Sequence, residues 1–207
     1  MTRSLAVAVG VAALAAPSTA TAAELTVFPE KRCYSSGEAI NLLGTGFSPL
    51  GSATVMGDGT ELGQLPTNET GAFNGVLKLG QTSGKRTKTY AATDDTDQTL
   101  SASRAITVSS VRVGLKPING PPGRLLTITA RGFTTGPTLW AHVTRGGATR
   151  DLKIGRLTGA CGGLKTRKRL LPRNAALGVH TIQFDTFRRY KRRRPVRDRY
   201  TISVTRG

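Results

Sequence analysis

Residues 37–47 read GEAINLLGTGF, and residues 123–133 read GRLLTITARGF. Each stretch opens on Gly, carries apolar residues at alternate positions (Ile40 and Leu42; Leu126 and Ile128), and closes on Gly-Phe. A period of two is the signature of a strand with one buried face. A glycine at the strand end can take backbone conformations that other residues avoid, and the aromatic after it can plug the gap between two sheets. Phe47 and Phe133 are therefore expected in a core.

Working outward, further matches occur in the same order. Gly63-Gln64-Leu65 matches Gly155-Arg156-Leu157, and Thr70-Gly71-Ala72 matches Thr158-Gly159-Ala160. Gly84 leading to Tyr90 and Asp94 matches Gly178 leading to Phe184 and Asp185, and Ile106-Thr107-Val108 matches Ile202-Ser203-Val204. Ordered self-similarity of this kind marks a tandem duplication. The expected division is a module over 24–110 and a second over 111–207. With 25 Gly, 10 Pro and few 3.6-residue apolar patterns, each copy reads as about seven short strands between turns, as in an immunoglobulin-like β-sandwich. In 196–204, Val196, Tyr200, Ile202 and Val204 share one face, while Arg197, Arg199, Thr201 and Ser203 share the other. Asp198 breaks the apolar side, which places it near a sheet edge or a bulge. The fold class expected is all-β, two tandem immunoglobulin-like sandwiches after a signal peptide.

The first copy resembles the bacterial immunoglobulin-like modules of secreted actinobacterial proteins. The residues that carry the likeness are Pro29, Gly37, Ile40, Leu42, Gly44, Gly46, Phe47 and Pro49, then Asp58-Gly59, and later Gly71 and Phe73. In the second copy they are Trp140-Ala141-His142-Val143, Ile154-Gly155-Arg156-Leu157, Cys161-Gly162 and Gln183-Phe184-Asp185. The resemblance implies a fold and an export route, and it carries no catalytic residues.

Residues 1–23 read as a secretory signal: Arg3, an uncharged run from Ser4 to Ala16, and an A-x-A site at Ala20-Thr21-Ala22. The run has 13 residues, against roughly 20 for a membrane span, so no transmembrane segment is expected after cleavage. An uncleaved anchor is the alternative. The expected location is secreted, extracellular or cell-wall associated. Each copy holds one cysteine, Cys33 and Cys161. In an oxidising compartment they suggest one inter-module disulfide, with two buried thiols as the alternative.

Charge separates the copies. Residues 24–110 carry seven Lys/Arg against nine Asp/Glu, a net of −2, whereas 111–207 carry 22 against three, a net of +19. Such asymmetry points to an acidic partner for the second copy. The candidate polyanion-binding residues are Arg188, Arg189, Lys191, Arg192, Arg193, Arg194, Arg197 and Arg199, with a second cluster of Lys165, Arg167, Lys168 and Arg169. Pro195 interrupts pairing, so the first run is expected in a loop joining the last two strands. Guanidinium groups suit bidentate contacts with phosphate or sulfate. Anionic wall polymers or membrane-surface headgroups are the expected partners, and no specific nucleic acid is. A solubilising surface with no partner is the alternative.

Catalytic constellations are scarce. His142 and His180 lie in expected strands of one copy and read as structural. A His–Cys dyad would need the fold to bring one of them to Cys161. No HExxH, CxxC, G-x-S-x-G or phosphate-loop pattern occurs. Asp94-Asp95-Thr96-Asp97 lacks the Gly and terminal Glu of a calcium loop and reads as a solvated turn. No enzyme, cofactor or metal is expected. The functional expectation is a non-catalytic envelope protein that docks on anionic polymers, or else a structural or adhesion module with no charge dependence.

Overall fold

The computed structural model describes residues 22–206; the expected signal segment lies outside the described residues except for Ala22 and Ala23. Fifteen strands and no helix are present among the described residues. Eight belong to the first half: β1 (Glu24–Phe28), β2 (Tyr34–Ser35), β3 (Ala39–Thr45), β4 (Ser52–Gly57), β5 (Thr60–Pro66), β6 (Phe73–Lys78), β7 (Lys85–Asp94) and β8 (Ser101–Ser109). They form a β1-β3-β6 sheet facing a β2-β8-β7-β4-β5 sheet. The inward residues Leu25, Ile40, Leu42, Val55, Tyr90 and Val108 make one apolar cluster between the two.

The second half follows with β9 (Arg112–Lys116), β10 (Leu126–Arg131), β11 (Thr138–Arg145), β12 (Ala148–Arg156), β13 (Leu164–Lys168), β14 (Gly178–Asp185) and β15 (Asp198–Val204). Here the sheets are β13-β10-β9 and β12-β11-β14-β15. A separate cluster, including Val113, Ile128, Leu139, Ile182, Phe184 and Ile202, lies between them. Strand for strand the second set repeats the first, and the parallel β2–β8 contact has its counterpart in a single parallel bridge from Gly120 to Val204. All other strand pairs of both sets are antiparallel, and the architecture is all-β and immunoglobulin-like.

The Gly-Phe pairs behave as their sequence predicts. Gly46 and Gly132 have φ of 76° and 81°, and Phe47 and Phe133 are buried. A second glycine then closes on each phenylalanine. A Cβ on Gly71 would lie 1.9 Å from the Phe47 carbonyl oxygen, and one on Gly162 would lie 1.9 Å from that of Phe133. The structural counterpart of Gly71 is thus Gly162, which shifts the expected Gly71–Gly159 match by three residues. The pairing of Asp94 with Asp185 is corrected too. Asp94 faces inward beside Tyr90 and Ala92 on its strand, whereas Asp185 lies on the opposite parity from the inward Phe184.

Cys33 and Cys161 are disulfide-bonded across the two halves, with Cα atoms 5.2 Å apart. Hydrogen bonds flank the bond: Ser35 Oγ lies 2.8 Å from Thr134 Oγ1, and Arg131 donates to the Ser83 carbonyl at 3.3 Å.

Candidate functional site

The outer face of β12-β11-β14-β15 is where the sequence and the fold meet least simply. Ala141, Ile182, Phe184 and Ile202 point into the core, so alternation sends Trp140, His142, Gln183 and Asp185 outward. On a bare sheet these would be wet. Instead His142, Gln183 and Asp185 are at most 1% exposed. They are covered by residues 186–197, the loop between β14 and β15 in which the arginine run lies.

A polar network ties that loop down. His142 Nδ1 meets Asp151 Oδ1 at 2.7 Å, and Nε2 meets Asp185 Oδ1 at 3.1 Å. With both carboxylates ionised they can only accept, so both ring nitrogens donate, which is the imidazolium form. Burial alone would depress the His142 pKa, but the hydrogen bonds and charges of Asp185 and Asp151 outweigh it and hold it above the ordinary value. Burial likewise pushes the Asp185 carboxyl upward, and hydrogen bonds from His142, Gln183 and the Phe187 amide bring it below the usual range. The Phe187 N–H donates to Asp185 Oδ1 at 2.8 Å. Gln183 Nε2 donates to Asp185 Oδ2 and to the Lys191 carbonyl, while its Oε1 accepts from Arg199. Arg199 also donates to the Arg192 carbonyl at 2.6 Å, and the Tyr190 ring rests 5.7 Å from the imidazole. The loop is thus fixed to the sheet at residues 187, 190, 191 and 192.

Anchoring divides the arginines by task. Arg199 serves the network, Arg197 donates to the Arg194 carbonyl, and Arg194 stacks over Phe187 at 3.9 Å while donating to the Arg189 carbonyl. Arg188, Arg189, Lys191, Arg192 and Arg193 are exposed, and their side chains make no hydrogen bond or ion pair among the described residues. The second expected cluster lies elsewhere. Lys165 and Arg167 project from the outer face of β13, on the other sheet of this sandwich. Lys168 reaches the Lys153 carbonyl at 2.9 Å across the sandwich edge, and Arg169 is tied to the Gly123 carbonyl at 2.8 Å.

The β13-β10-β9 face gathers cations that sequence reading missed. Its register sets Arg167 beside Thr127 and Lys116, Lys165 beside Thr129 and Gly114, and Arg131 beside Arg112. Arg112, Lys116 and Arg131 are isolated in the chain, and only the strand pairing shows that they share a face with Lys165 and Arg167. Each of the three aspartates of the second half makes a structural contact: Asp151 through Oδ1 and Asp185 with His142, and Asp198 with the Val113 amide at 2.7 Å. Asp198 begins β15, the edge strand of its sheet. Among the described residues, every ion pair between Lys or Arg and a carboxylate lies in the first half: Lys31–Glu38, Lys88–Asp58 and Arg104–Glu30.

Cys161 is spent in the disulfide, and His180 Nε2 lies 2.9 Å from the Ala176 carbonyl. Asp94 accepts from the amides of Ser48, Thr96 and Asp97, and Asp95 from Ser52 and Thr54, so the aspartate-rich stretch is a self-satisfied turn. Among the described residues no group of His, Cys, Asp and Glu could hold a metal ion, and no helix is long and apolar enough to cross a membrane.

No protein-family model matches the chain, and no curated sequence does. Solved structures align with it only loosely. The Yersinia pseudotuberculosis adhesin InvE is 11% identical with a TM-score of 0.33, over 88% of this chain and 58% of that one. A tetra-tandem repeat from the extending region of a large adhesion protein is 14% identical with a TM-score of 0.31, over 88% and 49%. Red sea bream transglutaminase is 13% identical with a TM-score of 0.33, over 90% and 32%. The chain therefore spans about a third to three fifths of these chains.

Proposed function

We propose that this is a non-catalytic extracellular or cell-envelope protein of two modules, 24–110 and 111–207, whose second module docks on anionic surface polymers. The observation that carries the proposal is uncompensated charge held in place: exposed cations on a loop pinned through His142, Gln183 and Asp185, with no carboxylate paired to them among the described residues. Arginines on a pinned loop lose less conformational entropy on binding than arginines on a loose tail. The disulfide supports export to an oxidising compartment, in keeping with the resemblance to secreted actinobacterial modules.

The test is retention of the chain on anionic wall polymer and on vesicles containing anionic lipid. Replacing Arg188, Arg189, Arg192 and Arg193 with Gln is expected to lower affinity at least about tenfold, as is raising salt from about 0.05 to 0.5 M. Retention unchanged by either would overturn the proposal and favour a structural or adhesion role.

A further inference from the structure

The chain has a single tryptophan, and it does not serve a core. Trp140 lies on the outward parity of β11, next to a break in register with β12, and is only half-buried. It borders an open depression of about 670 Å³ whose other walls are Asp151, Lys153, Arg188 and Arg189. Part of the indole stays open to solvent in this depression, and three cations beside it set the sign of what can cover that part.

We infer that this depression is a binding site for an acidic sugar unit, a pyranose bearing a carboxylate, sulfate or phosphate. The proposal rests on the polyanion reading above and gives it a specific contact. The chemistry divides among the walls. The indole offers a flat apolar surface to the C–H face of a sugar ring. Arg188, Arg189 and Lys153 match an anionic substituent. Asp151 offers an acceptor: Oδ1 is held by His142, and Oδ2 has no hydrogen-bond partner among the described residues. A sugar hydroxyl can donate to that oxygen, whereas a bare polyphosphate has no donor and meets only repulsion there. The combination of aromatic surface, cations and one carboxylate therefore favours a polymer with rings, hydroxyls and acid groups over one that is merely charged. The network beneath fixes the walls, because Asp151 is oriented by His142 and the segment bearing Arg188 and Arg189 is fixed on either side through Phe187 and Lys191.

Trp140 makes the site its own reporter. The full chain is titrated with an acidic oligosaccharide such as oligogalacturonate, a neutral oligosaccharide of equal length, a polyphosphate of matched charge and single-stranded DNA. A saturable change in indole emission is expected with the acidic sugar, at an affinity at least about tenfold above that of the neutral one, a gap of about 1.4 kcal/mol. By calorimetry, Trp140→Ala is expected to weaken the acidic sugar about tenfold and polyphosphate less than about twofold, while Trp140→Phe retains most of the affinity. If polyphosphate or DNA binds as tightly as the acidic sugar, or if Trp140→Ala weakens all the polyanions alike, the sugar site is wrong and the docking proposal stands. If no polyanion binds at low salt, both fall.

Discussion

His142 shows how one side chain can organise a surface. It stands on the solvent side of a sheet, is fully buried there, and joins two carboxylates that would otherwise repel. Its replacement by Leu strands the buried Asp185, a loss of about 3 kcal/mol expected in urea denaturation. The same groups set a pH window. The His142 pKa is raised, so its contribution is complete below the ordinary histidine value, near 6.5, and fades as pH rises through the higher folded value. The Asp185 pKa is lowered, so its contribution holds above the ordinary carboxylate value, near 3.8, and fades as pH falls through the lower folded one. Stability from this pair is expected to peak in mildly acidic solution. In the Leu variant the alkaline loss traced by denaturation at a series of pH values should disappear.

At the scale of strands and loops, glycine placement offers the sharpest test. Gly162 has φ of 55° and no room for a Cβ against the Phe133 carbonyl. Gly162→Ala is expected to cost at least about 2 kcal/mol by denaturant titration, and Gly71→Ala should do the same in the other sandwich. Gly159, with φ of 70° but nothing near its Cβ position, should tolerate Ala at about 1 kcal/mol. The strands were legible because alternation was clean: Ile40 and Leu42, Ile128, and Ile202 and Val204 all turn inward as their spacing predicts. The arginine loop was legible through Pro195, which lies between β14 and β15. What it covers was not. His142, Gln183 and Asp185 follow an outward pattern, and their burial depends on how a loop folds back, which no periodicity records. Nor could Arg112, Lys116 and Arg131 be grouped before the register of β9, β10 and β13 was known.

For the whole molecule, the disulfide is the long-range constraint. It closes 128 residues of chain and, on an entropy argument, contributes about 4 to 5 kcal/mol. Cys33→Ser with Cys161→Ser is expected to turn cooperative thermal unfolding into two separate transitions, seen by calorimetry. The second sandwich has another property at this scale. Its arginine loop covers the outer face of one sheet, and Arg112, Lys116, Arg131, Lys165 and Arg167 line the outer face of the other, with the apolar core between. Cations that look opposite ways cannot all serve one straight polymer. If the second module docks on anionic polymers as proposed, two such faces give it a valency of two: it would bridge strands, thickening a mesh at intermediate ratios and dispersing it when protein is in excess.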